Sequence, residues 1–282
     1  MAASPTNGTE TDLSARSRSG QSAWLCKLRL ILHLLRGLAI VALPYRHADA
    51  ARRARYVQRW SLQLLALCGI SLRVHGPYDA TAAGQGGELL VSNHISWLDI
   101  FAINAWQPTA FLSKAEVRQW PVLGWLVRSV GTVFIERESR RAAHRMVENL
   151  ASRLRSAQSV AVFPEGTTSN GTGLLPFHAN MFEAAVQAQV RVRPVALRYE
   201  HADGSRSQAP AFVGDTTLPE VVDAVCQAAP LVVHVMVGAA IDAVGQDRRA
   251  LSGMARAAIA AALGVDGSAC GEPIGAARSC QD

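Results

Sequence analysis

Apolar and polar positions change rhythm repeatedly along this chain, and each change marks an element. From Trp24 the run "WLCKLRLILHLLRGLAIVALPYR" keeps apolar residues at helical spacing, with Lys27, Arg29, His33 and Arg36 breaking into it. "RHADAARRARYVQRWSLQLLALCG" follows as a second helix, basic in its first half and apolar in its second. "ISLRVHG" then alternates with the period of a strand, and "DATAAGQGG" reads as a loop. Beyond it, "ELLVSN", "TAFLS", "TVFIE", "SVAVFPEG", "VRVRPVALRY" and "LVVHVMVG" read as strands. Between and after them, "SWLDIFAINAW", "PVLGWLVRSVG", "SRRAAHRMVENLASRLRSA", "NMFEAAVQAQ", "LPEVVDAVCQAA" and "DRRALSGMARAAIAAAL" read as helices. This alternation predicts an α/β fold, with a mixed, largely parallel central sheet flanked by helices and an N-terminal helical pair ahead of it.

Four segments follow. Residues 1–23 are small and polar and predict a disordered tail, and residues 24–66 hold the helical pair. Residues 67–264 carry the α/β domain, and residues 265–282 form a Gly/Ser/Ala-rich flexible tail. The first helix is interrupted by charge, and its longest charge-free apolar run, residues 37–45, is well short of the roughly 20 residues a spanning helix needs. A helix lying in or dipping into a membrane interface is expected, with its basic side chains reaching anionic headgroups; an amphipathic core helix and a single marginal transmembrane helix are the alternatives.

Charge sharpens that expectation. The chain of 282 residues has a net charge of +6, but residues 1–60 alone hold ten Lys/Arg against three Asp/Glu, so the rest is close to neutral. The basic character belongs to the N-terminus, which argues for an anionic membrane surface and against a nucleic-acid groove across the fold. The five cysteines are odd in number, scattered and without a C-x-x-C pair, so neither a disulfide frame nor a zinc site is expected and a reducing compartment fits.

Sites in open α/β sheets gather where strands end and helices begin. "VSNHISW", "VFIERES" and "VFPEGTTSNG" all leave strands. His94 and Asp99 are five positions apart; on one regular helix they would face about 140° away from each other. They meet only if His94 lies in the strand-to-helix turn and Asp99 in the first helical turn. The carboxylate would then fix the imidazole tautomer and leave the other ring nitrogen as a general base. No G-x-S-x-G elbow occurs and no cysteine sits beside a histidine, so the nucleophile is expected to be a substrate hydroxyl, as in acyl transfer to an alcohol. Glu165 and the backbone amides around Gly166, Thr167 and Thr168 suit hydroxyl and phosphate oxygens, and Arg137 and Lys114 are candidate anion contacts. Each segment alone also has a plainer reading: a helix-capping histidine, an ordinary Gly-Thr-Ser-Asn loop, two solvated surface cations.

Taken together, the segments resemble a known family. "NHISWLD" resembles the N-H-x-x-x-x-D block of the glycerolipid acyltransferases that acylate lysophospholipids; "GTVFIER", "FPEGTTS" and "VRPVAL" look like the second, third and fourth blocks, in the family's order. The resemblance implies His94 as base and Asp99 as its partner. It also implies Arg137, Glu165 and Gly166 at the acceptor's phosphate and glycerol, and Pro194 in a structural fourth block. It implies acyl-CoA or acyl-carrier protein as donor substrate and a lysophosphatidate-type acceptor, with residues 24–66 as the helical pair that meets the membrane; no cofactor is expected, and the cytoplasmic face of the inner membrane is the expected place of work. One departure stands out: many lysophosphatidate acyltransferases carry Arg after "EGT", where this chain has Thr168. "FPEGTTS" followed by "LLPF" also resembles relatives acting on lyso-ornithine lipids, whose acceptors lack that phosphate. A thioesterase and a non-catalytic membrane-binding protein are the alternatives from other classes.

Overall fold

The computed structural model describes residues 11–12, 23–76, 87–114, 132–135 and 140–266. Eight strands form one sheet: β1 Thr11–Asp12, β2 Ile70–His75, β3 Leu89–Ser92, β4 Ala110–Lys114, β5 Val133–Ile135, β6 Val160–Val162, β7 Val192–His201 and β8 Leu231–Val237. Their order is β1-β2-β8-β7-β3-β6-β4-β5. Every neighbouring pair is parallel except β1–β2 and β7–β8. The helices are α1 Ala23–Ile40, α2 Ala50–Leu67, α3 Asp99–Trp106, α4 Arg140–Arg155, α5 Glu183–Ala188, α6 Leu218–Ala228 and α7 Arg248–Leu263. The predicted α/β fold is therefore the observed one. The helix expected from "PVLGWLVRSVG" lies outside the described residues.

Burial follows from strand position. Central β3 is buried at all four residues, as a parallel strand covered on both faces must be. The flanking β7 sends Leu197 and Tyr199 into a core shared with Leu65 of α2, Ile103 of α3 and Val225 of α6. Its Val192 and Ala196 face the opposite core, with Leu150 of α4 and Ile259 of α7. The helix ends are set by local chemistry. Asp49 accepts the amide of Arg52 at the start of α2, and Asp247 accepts those of Arg249 and Ala250 at the start of α7. Gly264 closes α7 in the left-handed conformation at φ +64°.

The N-terminal helices form a hairpin on the domain. The His33 ring stacks on Trp60 with centroids 4.6 Å apart; its Nε2–H donates to the Trp60 carbonyl at 3.0 Å, and Trp60 Nε1 donates to the His33 carbonyl at 3.2 Å. Gly37 permits this approach, since a Cβ there would lie 2.7 Å from Trp60 Nε1. On the outer side of α1, Trp24, Leu28, Ile31, Leu32 and Leu35 are all exposed, with Leu43 beyond the helix end. Their spacing of three and four residues places them on one face. No described helix is long and apolar enough to cross a membrane.

Two expectations need correction. Thr11 and Asp12, read as part of a disordered tail, pair antiparallel with Val74 and Arg73. Cys26 and Cys226, expected to be free, form a disulfide that ties α1 to α6. Sequence spacing carries no trace of this bond, because residues 200 positions apart meet only when α1 docks. The same contact includes an ion pair of 2.7 Å between Lys27 and Asp223. With this bond formed, the cysteines no longer point to a reducing compartment.

Candidate active site

At the end of β3 the chain is pinned before it turns. The Asn93 side chain donates to the Leu197 carbonyl at 3.0 Å and accepts the Leu197 amide at 2.8 Å, so its carboxamide continues the β3–β7 pairing by one residue. Residues 94–98 then make the turn and Asp99 opens α3. Asp99 is fully buried. Its Oδ2 accepts from His94 Nδ1 at 2.9 Å and from the amides of Ile95 and Ser96 at 2.6 and 2.8 Å. Its Oδ1 accepts the hydroxyl of Tyr199 at 2.9 Å. Turn plus first helical turn is thus the arrangement that brings His94 to Asp99.

The imidazole lies flat on Phe163, with ring centroids 3.9 Å apart and planes 10° from parallel. The His94 side chain keeps 19% of its surface accessible. With Nδ1–H donated to Asp99, the neutral ring carries its lone pair on Nε2. Among the described residues nothing hydrogen-bonds that nitrogen, and no serine or cysteine stands against it. Ser96 Oγ and Trp97 Nε1, in the same turn, are buried without a partner among the described residues.

The turn after β6 stands beside this one because β3 and β6 are adjacent and parallel, with Val91 opposite Val162. Gly166 donates its amide to the Phe163 carbonyl at 3.1 Å and adopts φ +71°, which its missing side chain allows. Glu165 is buried; Oε1 accepts the His94 amide at 2.9 Å and Oε2 the Leu175 amide at 3.1 Å. The His94 carbonyl accepts the Ser169 amide at 2.8 Å. The main chain of the candidate base is therefore gripped on both sides. Burial pushes the Glu165 carboxyl up to about 7, helped by the nearby charge of Asp99 and opposed by the two amide hydrogen bonds and by Arg256.

The predicted site residues divide accordingly. His94, Asp99 and Glu165 come together. The Glu165 carboxylate, for which the resemblance implies acceptor contact, is turned onto the protein's own amides. The Gly166 amide, expected to face an anion, is taken by Phe163; Thr167 is exposed at the turn, and the Thr168 hydroxyl donates to the Phe212 carbonyl. Lys114 ends β4 but its side chain, like all of Arg137, lies outside what is described. Sequence reasoning missed Asn93, Phe163, Ser169 and Tyr199. A buried tyrosine hydroxyl always raises the question of its partner, but the partner here is 100 residues away. Among the described residues no cluster of three or more His, Cys, Asp or Glu could hold a metal ion.

The family model described as Acyltransferase matches residues 71–198. A 1-acyl-sn-glycerol-3-phosphate acyltransferase of Neisseria meningitidis serogroup B is 34% identical over 252 residues, 88% of this chain and 97% of that protein. A lyso-ornithine lipid O-acyltransferase of Pseudomonas aeruginosa is 35% identical over 253 residues, 85% of this chain and 95% of that protein. The crystal structure of the 1-acyl-sn-glycerophosphate (LPA) acyltransferase from Thermotoga maritima shares the fold. Its TM-score is 0.60 at 19% identity, covering 85% of this chain and 96% of that one.

Glu165→Gln tests the grip on His94. An amide side chain can accept one of the two main-chain N–H groups but turns its own N–H toward the other, a loss of about 1–3 kcal/mol in unfolding experiments. The sign of the pH dependence is fixed by the raised carboxyl. Its contribution is fully present below the unfolded value of 4.5 and is lost as pH rises through about 7. The stability gap between wild type and Glu165→Gln should therefore narrow between about pH 5 and about pH 7.5. A gap that widens over that range would mean that the fold favours the anion.

Proposed function

The chain belongs to the acyltransferase family and is an O-acyltransferase of the 1-acylglycerol-3-phosphate/lyso-ornithine lipid type; from that premise we propose its substrates and mechanism. It moves a fatty acyl chain from the thioester of acyl-CoA or acyl-carrier protein to the free hydroxyl of lysophosphatidate, giving phosphatidate. The observation that carries this reading is the 2.9 Å His94–Asp99 contact, which leaves Nε2 without a hydrogen-bond partner among the described residues.

His94 Nε2 takes the proton of the acceptor hydroxyl as its oxygen attacks the thioester carbonyl. Asp99, held on Nδ1, stabilises the imidazolium that forms. The tetrahedral intermediate collapses, the C–S bond breaks, and the imidazolium returns the proton to the departing thiolate. Acyl ester and free thiol leave, and the histidine is neutral again. Arg137 and Lys114 meet the acceptor phosphate, together with the exposed Thr167 of the turn after β6.

The acceptor divides two readings. Thr168 supports a phosphate-free acceptor, because a cation is missing where many lysophosphatidate enzymes have one and its hydroxyl is spent on Phe212. The relatives of both types stand at near-equal identity. Lysophosphatidate is preferred on the basic pair Arg137 and Lys114. The enzyme works at the cytoplasmic face of the inner membrane, resting on the exposed stripe of α1 with the basic residues of α1 and α2 near the headgroups.

Purified protein with labelled acyl-CoA and a panel of lysolipids, its products identified by mass, tests the acceptor. Lysophosphatidate is the expected substrate, and Thr168→Arg should keep or improve its use while bringing no gain with lyso-ornithine lipid. Efficient turnover of lyso-ornithine lipid by the wild type, with hardly any of lysophosphatidate, would reverse the assignment.

Vesicle flotation tests the surface. Leu32→Asp with Leu35→Asp changes only exposed side chains and should abolish binding to vesicles containing anionic lipid while the protein stays folded. Salt should weaken wild-type binding only in part, since apolar burial is not screened. Complete release of the wild type by salt would show that charge alone holds it.

A further inference from the structure

We propose that Tyr199 is a positioning residue for the acyl transfer: from β7 it holds the second oxygen of Asp99 and so sets the direction in which His94 presents its free nitrogen. The proposal rests on the reading of His94 as the base.

The donors around Asp99 are distributed unevenly. The three on Oδ2 come from residues 94–96, its own turn. A carboxylate tied through one oxygen can still pivot about it, and the imidazole would follow. The other oxygen is fixed from a different element. Tyr199 lies on β7, which pairs with β3 through Ser92 and Val195, and among the described residues its hydroxyl is the one donor to Oδ1. Two residues earlier on the same strand and face, Leu197 is clamped by Asn93. A single strand therefore holds the turn near its beginning and at its end, which places the His94–Asp99 pair in the frame of the sheet.

Tyr199 is suited to this task and to no direct part in the chemistry. Its side chain is almost wholly buried, and its hydroxyl is spent on Asp99. Burial, with the charge of Asp99 beside it, pushes the phenol well above its ordinary range, so the hydroxyl keeps its proton and donates throughout any working pH. The titratable groups facing this pair are His94, Glu165, which feels the charge of Asp99, and Cys68, which lies near Tyr199 with its thiol pushed up to about 12 by burial. Among the described residues the one ion-pair partner of Asp99 is His94.

Removing the hydroxyl does two things. It frees the carboxylate to pivot, which lowers the rate of proton transfer. It also leaves more charge on the carboxylate, which then holds the proton of an imidazolium more tightly. In Tyr199→Phe, kcat should fall about tenfold or more with the acceptor KM within about twofold, and the acid limb of kcat/KM should move to higher pH by about half a unit or more. Site-specific 3-fluorotyrosine at position 199 retains the fold and strengthens the donor, and the limb should move to lower pH. In an Asp99→Asn background Tyr199→Phe should cost little further, because the group it positions is gone.

Limbs that stay in place in both variants, or an equal cost with and without Asp99, would reduce Tyr199 to core packing and overturn the proposal. The fluorotyrosine arm decides the matter if Tyr199→Phe does not fold. Should His94→Ala itself retain turnover, the base assignment fails instead; an inactive His94→Ala with unmoved limbs defeats the Tyr199 proposal alone.

Discussion

A carboxylate shut away from water is stable only where donors surround it, and the burial of Asp99 organises the centre of this molecule. An uncompensated ion in such a place costs several kcal/mol. Four donors meet it, three from the turn it closes and one from the neighbouring strand. Satisfying them requires that residues 94–98 turn back on the start of α3, and that β7 lie beside β3. The candidate base is thus oriented by the same hydrogen bonds that make the burial of Asp99 tolerable.

The wider fold carries this geometry to the N-terminal hairpin. Gln58 of α2 donates to the carbonyls of Ala105 and Trp106, the last turn of the helix that Asp99 begins. Trp60 meets Phe101 at 5.6 Å between ring centroids, and Phe101 meets Trp97 of the His94 turn at the same distance. α1 is fastened in turn to Trp60 through His33 and to α6 through Lys27 and Cys226. The exposed apolar stripe therefore sits on a body continuous in packing with the His94 turn.

Much of this was legible from periodicity. Seven apolar runs became β2–β8, and the described helices among them fell where the 3.6-residue pattern put them. His94 and Asp99 were legible because their separation permits one useful geometry, a turn followed by a helix start. What escaped depends on pairing across the sheet. The insertion of β8 between β2 and β7, parallel to the first and antiparallel to the second, leaves no mark on either strand's alternation. Tyr199 and Asn93 look like ordinary residues at strand ends until β3 and β7 are adjacent, and Cys26 needs the docking of α1 to find Cys226. Glu165 was legible as a site residue, but the direction of its carboxylate was not: that depends on the loop carrying Leu175, which only the fold brings over the His94 turn.

The most direct measurement is the turnover of labelled acyl-CoA and lysolipid by His94→Ala. The side chain is partly exposed and leaves Asp99 its two amide donors and the hydroxyl of Tyr199, so the variant should fold and keep its membrane binding. Loss of the general base predicts a fall in turnover of about 10²–10⁴. Turnover close to the wild-type rate would contradict the assignment of His94 as the group that takes the acceptor's proton.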